Sequence, residues 1–406
     1  MNDLERRPLV LVFAPSPQGG LAEHTFYQVT ALASENCVVS CLICPSFLSD
    51  RTPPFACEPV LAEPHSRGIS RWRRRLGYLR RMFYNQLRLV WEILRRRPSL
   101  VLLESYTEYL SPIWIWPHWI LARLFGITYA ANLHDPVRDY QVGPAWWHRW
   151  SVQLAYLPLD FVLIHHPLPH PSPVPARVKT VEVPVGVYSL PAARISAEEL
   201  RQQWGIPESS LVFLSFGYIR DNKNLDLVLR AASQVPEAYV VVAGSIQSAK
   251  DKPFAFYQQL AAELGIADRC RFMEGFVADA DLADYFEAAD FALLTYSASF
   301  HSQSGVLNLA VAARKPVLAS AARGPLVACV ENFHLGVVVA PDSADAIAAG
   351  MRGLLAGCEP QWDKYAREHG WARNARGILD AAGLSSGPQI YREKSDDDPG
   401  RLKRAL

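Results

Sequence analysis

Short runs of apolar residues recur along the chain and are separated by longer amphipathic segments. The runs share a length of four to seven residues and are found at residues 9–14, 100–103, 127–133, 161–164, 211–216 and 239–243. Runs of this length bounded by turn residues predict buried strands, and the segments between them carry apolar residues at helical spacing. Strands that alternate with helices predict parallel sheets covered on both faces. The sequence therefore predicts an α/β fold of two successive doubly wound domains.

The chain is long enough to form two hydrophobic cores, because its 406 residues exceed what one core usually supports. We place a first domain at residues 1–187 and a second at residues 188–359. A closing helical segment follows at 360–383. The remaining residues, 384–406, are polar and lack an apolar period, so we expect a disordered tail.

The composition is that of a folded soluble protein, with 50% hydrophobic and 20% charged residues. A net charge of +1 argues against a protein that binds nucleic acid as a whole. The chain starts without an apolar signal core and its seven cysteines show no pairing framework, so we expect a cytoplasmic location. Cys41 and Cys44 are interpreted as buried thiols, because no second Cys/His pair stands near them. No metal and no cofactor are expected.

The most unusual stretch is residues 67–97, which hold eleven arginines against one acid, Glu92. Tryptophan and leucine residues are interleaved at three- and four-residue steps, which predicts a long amphipathic helix with a basic face. The apolar side could cover the protein's own sheet. The basic face could meet anionic lipid or a phosphate-bearing acceptor, and the two interpretations do not exclude each other. We expect this stretch to contact an anionic membrane surface.

A predicted βαβ unit in the second half carries a glycine at its helix start. A strand at residues 291–296 leads to Ser304 and Gly305, a helix begins near Val306, and a buried strand starts after Pro316. The helix start of such a unit faces the carboxyl edge of the sheet. Its free N–H groups suit an anion such as a diphosphate. An ordinary βαβ unit with a serine N-cap would have the same pattern.

Other polar residues and glycines also follow predicted strands. Arg220 and Lys223 lie three apart where a helix should begin, a position that disfavours cations unless an anion is bound. Gly19 and Gly20 follow the first strand and would let backbone approach a ligand. His134 ends another strand, where it could serve a site or be tied into a turn by Asp135 or by a backbone carbonyl.

Taken in order, these segments resemble the C-terminal domain of GT-B glycosyltransferases of family 4 and their bacterial relatives. Four pieces stand in the family's order and spacing: FGYIRDNKNLDLVLRA (216–231), VVVAGS (240–245), FMEGFVADADLADYFEAADFALLTY (272–296) and SQSGVLNLAVAARKPVLAS (302–320). The GG loop, the LHD segment with His134 and PVGV at 184–187 match more loosely. The resemblance implies the GT-B fold, in which two Rossmann-like domains face each other across a cleft.

The resemblance also implies a chemistry. A nucleotide-sugar donor, such as a UDP- or GDP-sugar, would be held by the second domain and an acceptor mostly by the first. Without a metal, cations and N–H dipoles must neutralise the leaving diphosphate, and His134 would lie near the transferring sugar. The implied donor-binding residues are Gly19, Gly20, Arg220, Lys223, Gly275, His301, Ser304, Gly305 and Val306.

The sequence departs from the family pattern at one pair of positions. The family often carries two glutamates separated by seven residues, and the matching residues here are His301 and Leu309. A leucine cannot hydrogen-bond a ribose hydroxyl, so other groups must recognise the nucleotide.

We expect a metal-independent hexosyltransferase that acts on a glycan or lipid-linked acceptor, peripheral on the inner face of the plasma membrane. The alternatives are a catalytically silent GT-B scaffold that binds a nucleotide or a partner protein, and a nucleotide-sugar epimerase.

Overall fold

The computed structural model describes residues 7–385, apart from 50–51, 65–70, 105–109, 135–142, 166, 169–171 and 249. The basic stretch is described from residue 71 onward, without the side chains of Arg71, Arg74 and Arg75. Asp135 and the predicted tail beyond residue 385 lie outside the described residues. No helix within the described ranges is long and apolar enough to cross a membrane.

The chain divides into two compact units. The first comprises residues 1–183 and 371–406, and the second comprises residues 184–370. The final helix therefore joins the first unit, where it packs against the first helix of the chain.

The first unit is built on a seven-stranded sheet. Its strands are β1 (Leu9–Ala14), β2 (Val38–Ile43), β3 (Cys57–Glu58), β4 (Leu100–Leu103), β5 (Thr128–Asn132), β6 (Phe161–Ile164) and β7 (Lys179–Glu182). Its helices are α1 (Gly20–Ala33), α2 (Arg71–Arg96), α3 (Ser111–Phe125), α4 (Ala145–Ala155) and α13 (Trp371–Ala381). The strands lie in the order β3-β2-β1-β4-β5-β6-β7, and every neighbouring pair is parallel.

The second unit is built on a six-stranded parallel sheet in the order β10-β9-β8-β11-β12-β13. Its strands are β8 (Leu211–Phe216), β9 (Ala238–Gly244), β10 (Cys270–Glu274), β11 (Phe291–Thr295), β12 (Val317–Ser320) and β13 (Gly336–Val338). Its helices are α5 (Ala197–Gln203), α6 (Leu225–Ser233), α7 (Phe254–Glu263), α8 (Leu282–Glu287), α9 (Gly305–Ala312), α10 (Pro325–Asn332), α11 (Ala344–Leu355) and α12 (Trp362–Glu368). Short 3₁₀ turns lie at Asp221–Lys223, Ala267–Arg269 and Asp279–Asp281.

Each sheet has an apolar core on both faces, which is why its strands read as continuous apolar runs. In β1, Val10 and Val12 enter one core while Leu11 and Phe13 enter the other. Cys41 and Cys44 divide in the same way between these two cores. Both are free thiols, and their predicted burial is confirmed.

Helix α2 is confirmed, and of the two interpretations of its apolar side the one in which this side covers the sheet is wrong. The tryptophan and leucine stripe does not cover the sheet: Trp72, Leu76 and Trp91 are 78%, 65% and 57% exposed. The helix packs inward instead through a second set of residues one helical face away, which includes Leu89 and Ile93. The sequence contains both stripes at helical spacing, so the pattern alone could not decide which one is buried.

Candidate functional site

In the second unit, the predicted cations lie directly after β8. The strand ends at Phe216, and Gly217 follows with a φ of +87°, in the left-handed region that favours glycine. Arg220 then precedes the 3₁₀ turn that ends at Lys223. The predicted helix begins later, at Leu225, after Asn224 adopts a left-handed conformation.

Lys223 is buried rather than solvated. Its ammonium donates a 2.6 Å hydrogen bond to the backbone oxygen of Phe216. Burial, together with the nearby charge of Arg220, lowers the pKa of Lys223 from 10.5 to about 7. No described carboxylate forms an ion pair with this buried lysine, so its cationic form would be stabilised by an anion bound beside it.

Arg220 is also incompletely satisfied. Its Nε atom is buried and has no hydrogen-bond partner among the described residues. Since a buried guanidinium N–H without an acceptor costs free energy, this atom is available to an anionic oxygen.

The start of helix α9 is held by aromatic side chains that the sequence analysis did not single out. Ser304 is the N-cap residue, and its hydroxyl lies 2.9 Å from the hydroxyl of buried Tyr296. The Tyr296 ring stacks on Phe300 with a centroid distance of 3.8 Å. Because Ser304 is engaged sideways, its side chain makes no cap hydrogen bond to α9. The N–H groups of Gly305 and Val306 have no partner within the helix.

The structure brings the cations and the helix start together. A Cβ atom placed on Gly217 would lie 3.8 Å from Lys223 Nζ and 3.8 Å from Val306 Cγ2. Arg220 acts electrostatically on both Lys223 and Tyr296. A diphosphate site is built from these components: the carboxyl edge of a parallel sheet, two cations and the positive end of a helix.

The remaining predicted donor residues of this unit are less closely joined to that cluster. His301 is exposed on the loop before α9, and its backbone oxygen lies 3.5 Å from where a Cβ on Gly324 would be. Gly275 follows β10 with a φ of +147° and donates its N–H to the oxygen of Gly244. Leu309 packs against the core, so it presents no polar atom at a position where the family often has a glutamate.

In the first unit, Gly19 is the N-cap residue between β1 and α1, and Gly20 is the first residue of α1. Gly19 has a φ of +80°, and a Cβ on either glycine would meet no atom within 4 Å. The backbone here is therefore open to a ligand, although no described side chain marks what that ligand is.

His134 belongs to a buried cluster that the sequence analysis missed. Its Nε2 lies 3.1 Å from the backbone oxygen of Glu104, and its ring packs edge-on against His24 at 4.6 Å. The ring of His165 lies 5.3 Å away. Because a carbonyl oxygen only accepts, His134 carries its proton on Nε2 and leaves Nδ1 as an acceptor. The cluster draws on four separate segments, so no local pattern could have revealed it.

Burial sets the charges in this cluster. It lowers the pKa of His134 to about 3, with a further contribution from neighbouring His24, and it lowers the pKa of His24 to about 3. It raises the pKa of Glu104, whose carboxyl lies 3.2 Å from His24 Nδ1, to about 8. At neutral pH His24 and His134 are therefore uncharged, and His134 can hydrogen-bond a hydroxyl more readily than it can remove a proton.

Among the described residues, His24, His134 and His165 are also close enough together to bind one metal ion. One ligand atom from each of His24, His134 and His165 lies within 4.8 Å of the others. Neutral imidazoles with outer hydrogen bonds are suitable ligands for a divalent ion. The expected absence of a metal therefore stays a prediction.

The fold is shared with solved structures of other proteins. The structure matches that of a glycosyltransferase from Rickettsia africae with a TM-score of 0.69 at 12% identity, covering 93% of this chain and 98% of that one. It matches HepE from Anabaena, solved with UDP and glucose, with a TM-score of 0.62 at 17% identity, covering 93% and 97%. At these identities the likeness establishes the fold alone. The predicted GT-B fold is confirmed.

The sequence of the second unit matches a known family. Residues 196–369 match the model of glycosyl transferases group 1, and the predicted resemblance to GT-B glycosyltransferases is confirmed. A D-inositol 3-phosphate glycosyltransferase from Mycobacteroides abscessus is 31% identical over 217 residues, covering 52% of this chain and 47% of that protein. The chain spans about half the length of the curated relatives it matches.

Proposed function

We propose that the protein is a glycosyltransferase that takes a sugar from a nucleotide-diphosphate donor bound in the second unit. The observation that carries this proposal is the meeting of Lys223, Arg220 and the N-terminus of α9 at one sheet edge. The group 1 family match and the name of the curated relatives support transfer as the reaction class.

The chemistry requires charge neutralisation at the leaving group. As the bond between the anomeric carbon and the diphosphate breaks, negative charge builds on the diphosphate oxygens. Arg220 Nε can donate to one oxygen, Lys223 to another, and the N–H groups of Gly305 and Val306 to a third. Neutralisation by these groups supports a reaction without a metal at the diphosphate, and a hexose as the sugar is part of the same proposal.

We further propose that the acceptor is a glycan or a lipid-linked molecule at the cytoplasmic membrane face. The arginines of α2 fall into two groups. Arg95 and Arg96 bind buried Glu92, at 2.7 Å in each case. Arg73 and Arg80 are exposed and form no ion pair with a described residue, so they are the charges available to anionic lipid.

The experiment is incubation with a panel of radiolabelled UDP- and GDP-sugars, with separation of free sugar, donor and isomerised donor. Slow release of free sugar supports transfer chemistry. Arg220→Ala should reduce this release by at least tenfold, whereas Arg230→Ala, which removes an exposed arginine of α6, should leave it unchanged.

A specific observation favours one alternative function. Because Leu309 supplies no polar atom for the nucleotide, a silent scaffold would bind a nucleoside diphosphate and release no sugar from any donor. Conversion of the donor into an isomer would instead identify an epimerase. Either result would overturn the proposal.

A further inference from the structure

A cavity lies in the first unit, between α2, α3 and the sheet. Its volume is about 100 Å³, enough for several water molecules or for one small polar group. Its walls are mostly apolar and include Phe13, Met82, Leu89, Trp114 and Ile115. None of the predicted site residues lines this cavity.

A few polar groups interrupt the apolar walls. Arg81 lines the cavity and makes no hydrogen bond or ion pair with a described residue. His118 is 2% exposed, and its Nε2 atom is buried without a hydrogen-bond partner in the described ranges. Its other ring nitrogen lies 3.4 Å from the hydroxyl of Tyr129. Buried polar atoms are rarely left unsatisfied, so Nε2 points to a ligand or to water.

Burial also keeps this histidine uncharged, since it lowers the pKa of His118 to about 4. When the Tyr129 hydroxyl donates to Nδ1, Nε2 carries the ring proton and can donate it to an oxygen. Among the described residues that line the cavity, Arg81 carries the positive charge. A ligand that binds both Arg81 and His118 should therefore present anionic oxygens.

The same two helices carry the exposed apolar surface. The outer stripe of α2 includes Trp72, Leu76, Leu87 and Trp91, and Leu87 is 67% exposed. Helix α3 exposes Ile113, Trp116, Ile120 and Leu124. A helix that shows tryptophan and leucine to solvent between arginines suits the boundary of an anionic bilayer.

We infer that the cavity between α2 and α3 binds the head group of an anionic amphiphile, a phosphate-bearing lipid whose chain leaves toward the exposed apolar surface. Arg81 and His118 would hold the phosphate oxygens, and the apolar wall would hold the first carbons of the chain. The inference rests on the proposed function, because it names the chemistry by which a membrane-borne acceptor is recognised.

The test is calorimetric titration with octyl phosphate below its micelle concentration, compared with octyl glucoside and with inorganic phosphate. Octyl phosphate should bind one site per chain, at least tenfold more tightly than either comparison ligand. Arg81→Gln should weaken that binding at least tenfold and His118→Gln at least threefold, while melting temperatures confirm that both variants fold.

The matched control is Arg123→Gln, which removes the same charge from an exposed residue of α3 outside the cavity and should leave binding unchanged. Equal losses in the Arg123 and Arg81 variants would show diffuse attraction to the two helices and overturn the site. Equal affinity for octyl glucoside would show an apolar surface only, and equal affinity for inorganic phosphate would show a phosphate site without a chain. No donor is present in these titrations, so their failure would leave the donor hydrolysis experiment unaffected.

Discussion

Lys223 should make nucleotide binding depend on pH in a specific direction. In the free protein its pKa is lowered from 10.5 to about 7 by burial and by Arg220. A bound diphosphate places negative charge beside the ammonium and should return the pKa toward its ordinary value. Binding should therefore take up a proton, and affinity should be greatest below pH 7 and fall as pH rises.

The size of the effect follows from the two pKa values. With a free pKa of about 7 and a bound pKa near 10.5, binding should take up about 0.9 proton per chain at pH 8. The dissociation constant of UDP should rise about 50-fold between pH 7 and pH 9, which corresponds to about 2.3 kcal/mol. The nucleotide does not contribute in this range, because a terminal phosphate loses its second proton near pH 6.

The assay is calorimetry of UDP binding at pH 8 in buffers of different ionisation enthalpy, with proton uptake read from the slope. Lys223→Met should abolish the uptake and weaken binding at pH 7 by about 1.5–3 kcal/mol, the contribution of a hydrogen bond to a charged group. Lys250→Ala, a change at an exposed lysine, is the matched control. Wild-type protein that binds UDP without proton uptake, and equally well at pH 7 and pH 9, would refute the assignment of Lys223 to the diphosphate.

Three further predictions concern the first unit. His134→Asn should lower turnover about 10²-fold while UDP affinity changes little, whereas a variant with a lower melting temperature and normal turnover would show a purely structural histidine. Replacing Arg73 and Arg80 together by Gln should reduce binding to anionic vesicles by about 1 kcal/mol per charge, and an equal loss on neutral vesicles would contradict an electrostatic role. Between pH 6.5 and 5.5, urea denaturation should show the free energy of unfolding falling by roughly 2 kcal/mol. On unfolding, buried His24, His118 and His134 each take up a proton, whereas Glu104 releases one. Stability that stays constant over this range would mean that these groups are not buried as described.

The proximity of the proposed donor residues could be predicted because these residues are local to strand ends. Arg220, Lys223 and Ser304 each lie within a few residues of an apolar run, and the carboxyl ends of parallel strands meet at one sheet edge. What the sequence could not show was the burial of Lys223. Its ammonium is satisfied by a carbonyl seven residues earlier, and the helix expected to start beside it begins only at Leu225.

The sequence by itself determined the α/β class and the division into two sheets, because strands covered on both faces must be apolar along their whole length. It also determined that α2 is a helix with an arginine-rich face. Only the tertiary structure decided which apolar stripe of α2 is buried, since two stripes satisfy the same period. Only the tertiary structure assembled His24, Glu104, His134 and His165. It also brought Arg81 and His118 to the wall of one cavity, because contacts between distant segments leave no periodic trace in the chain.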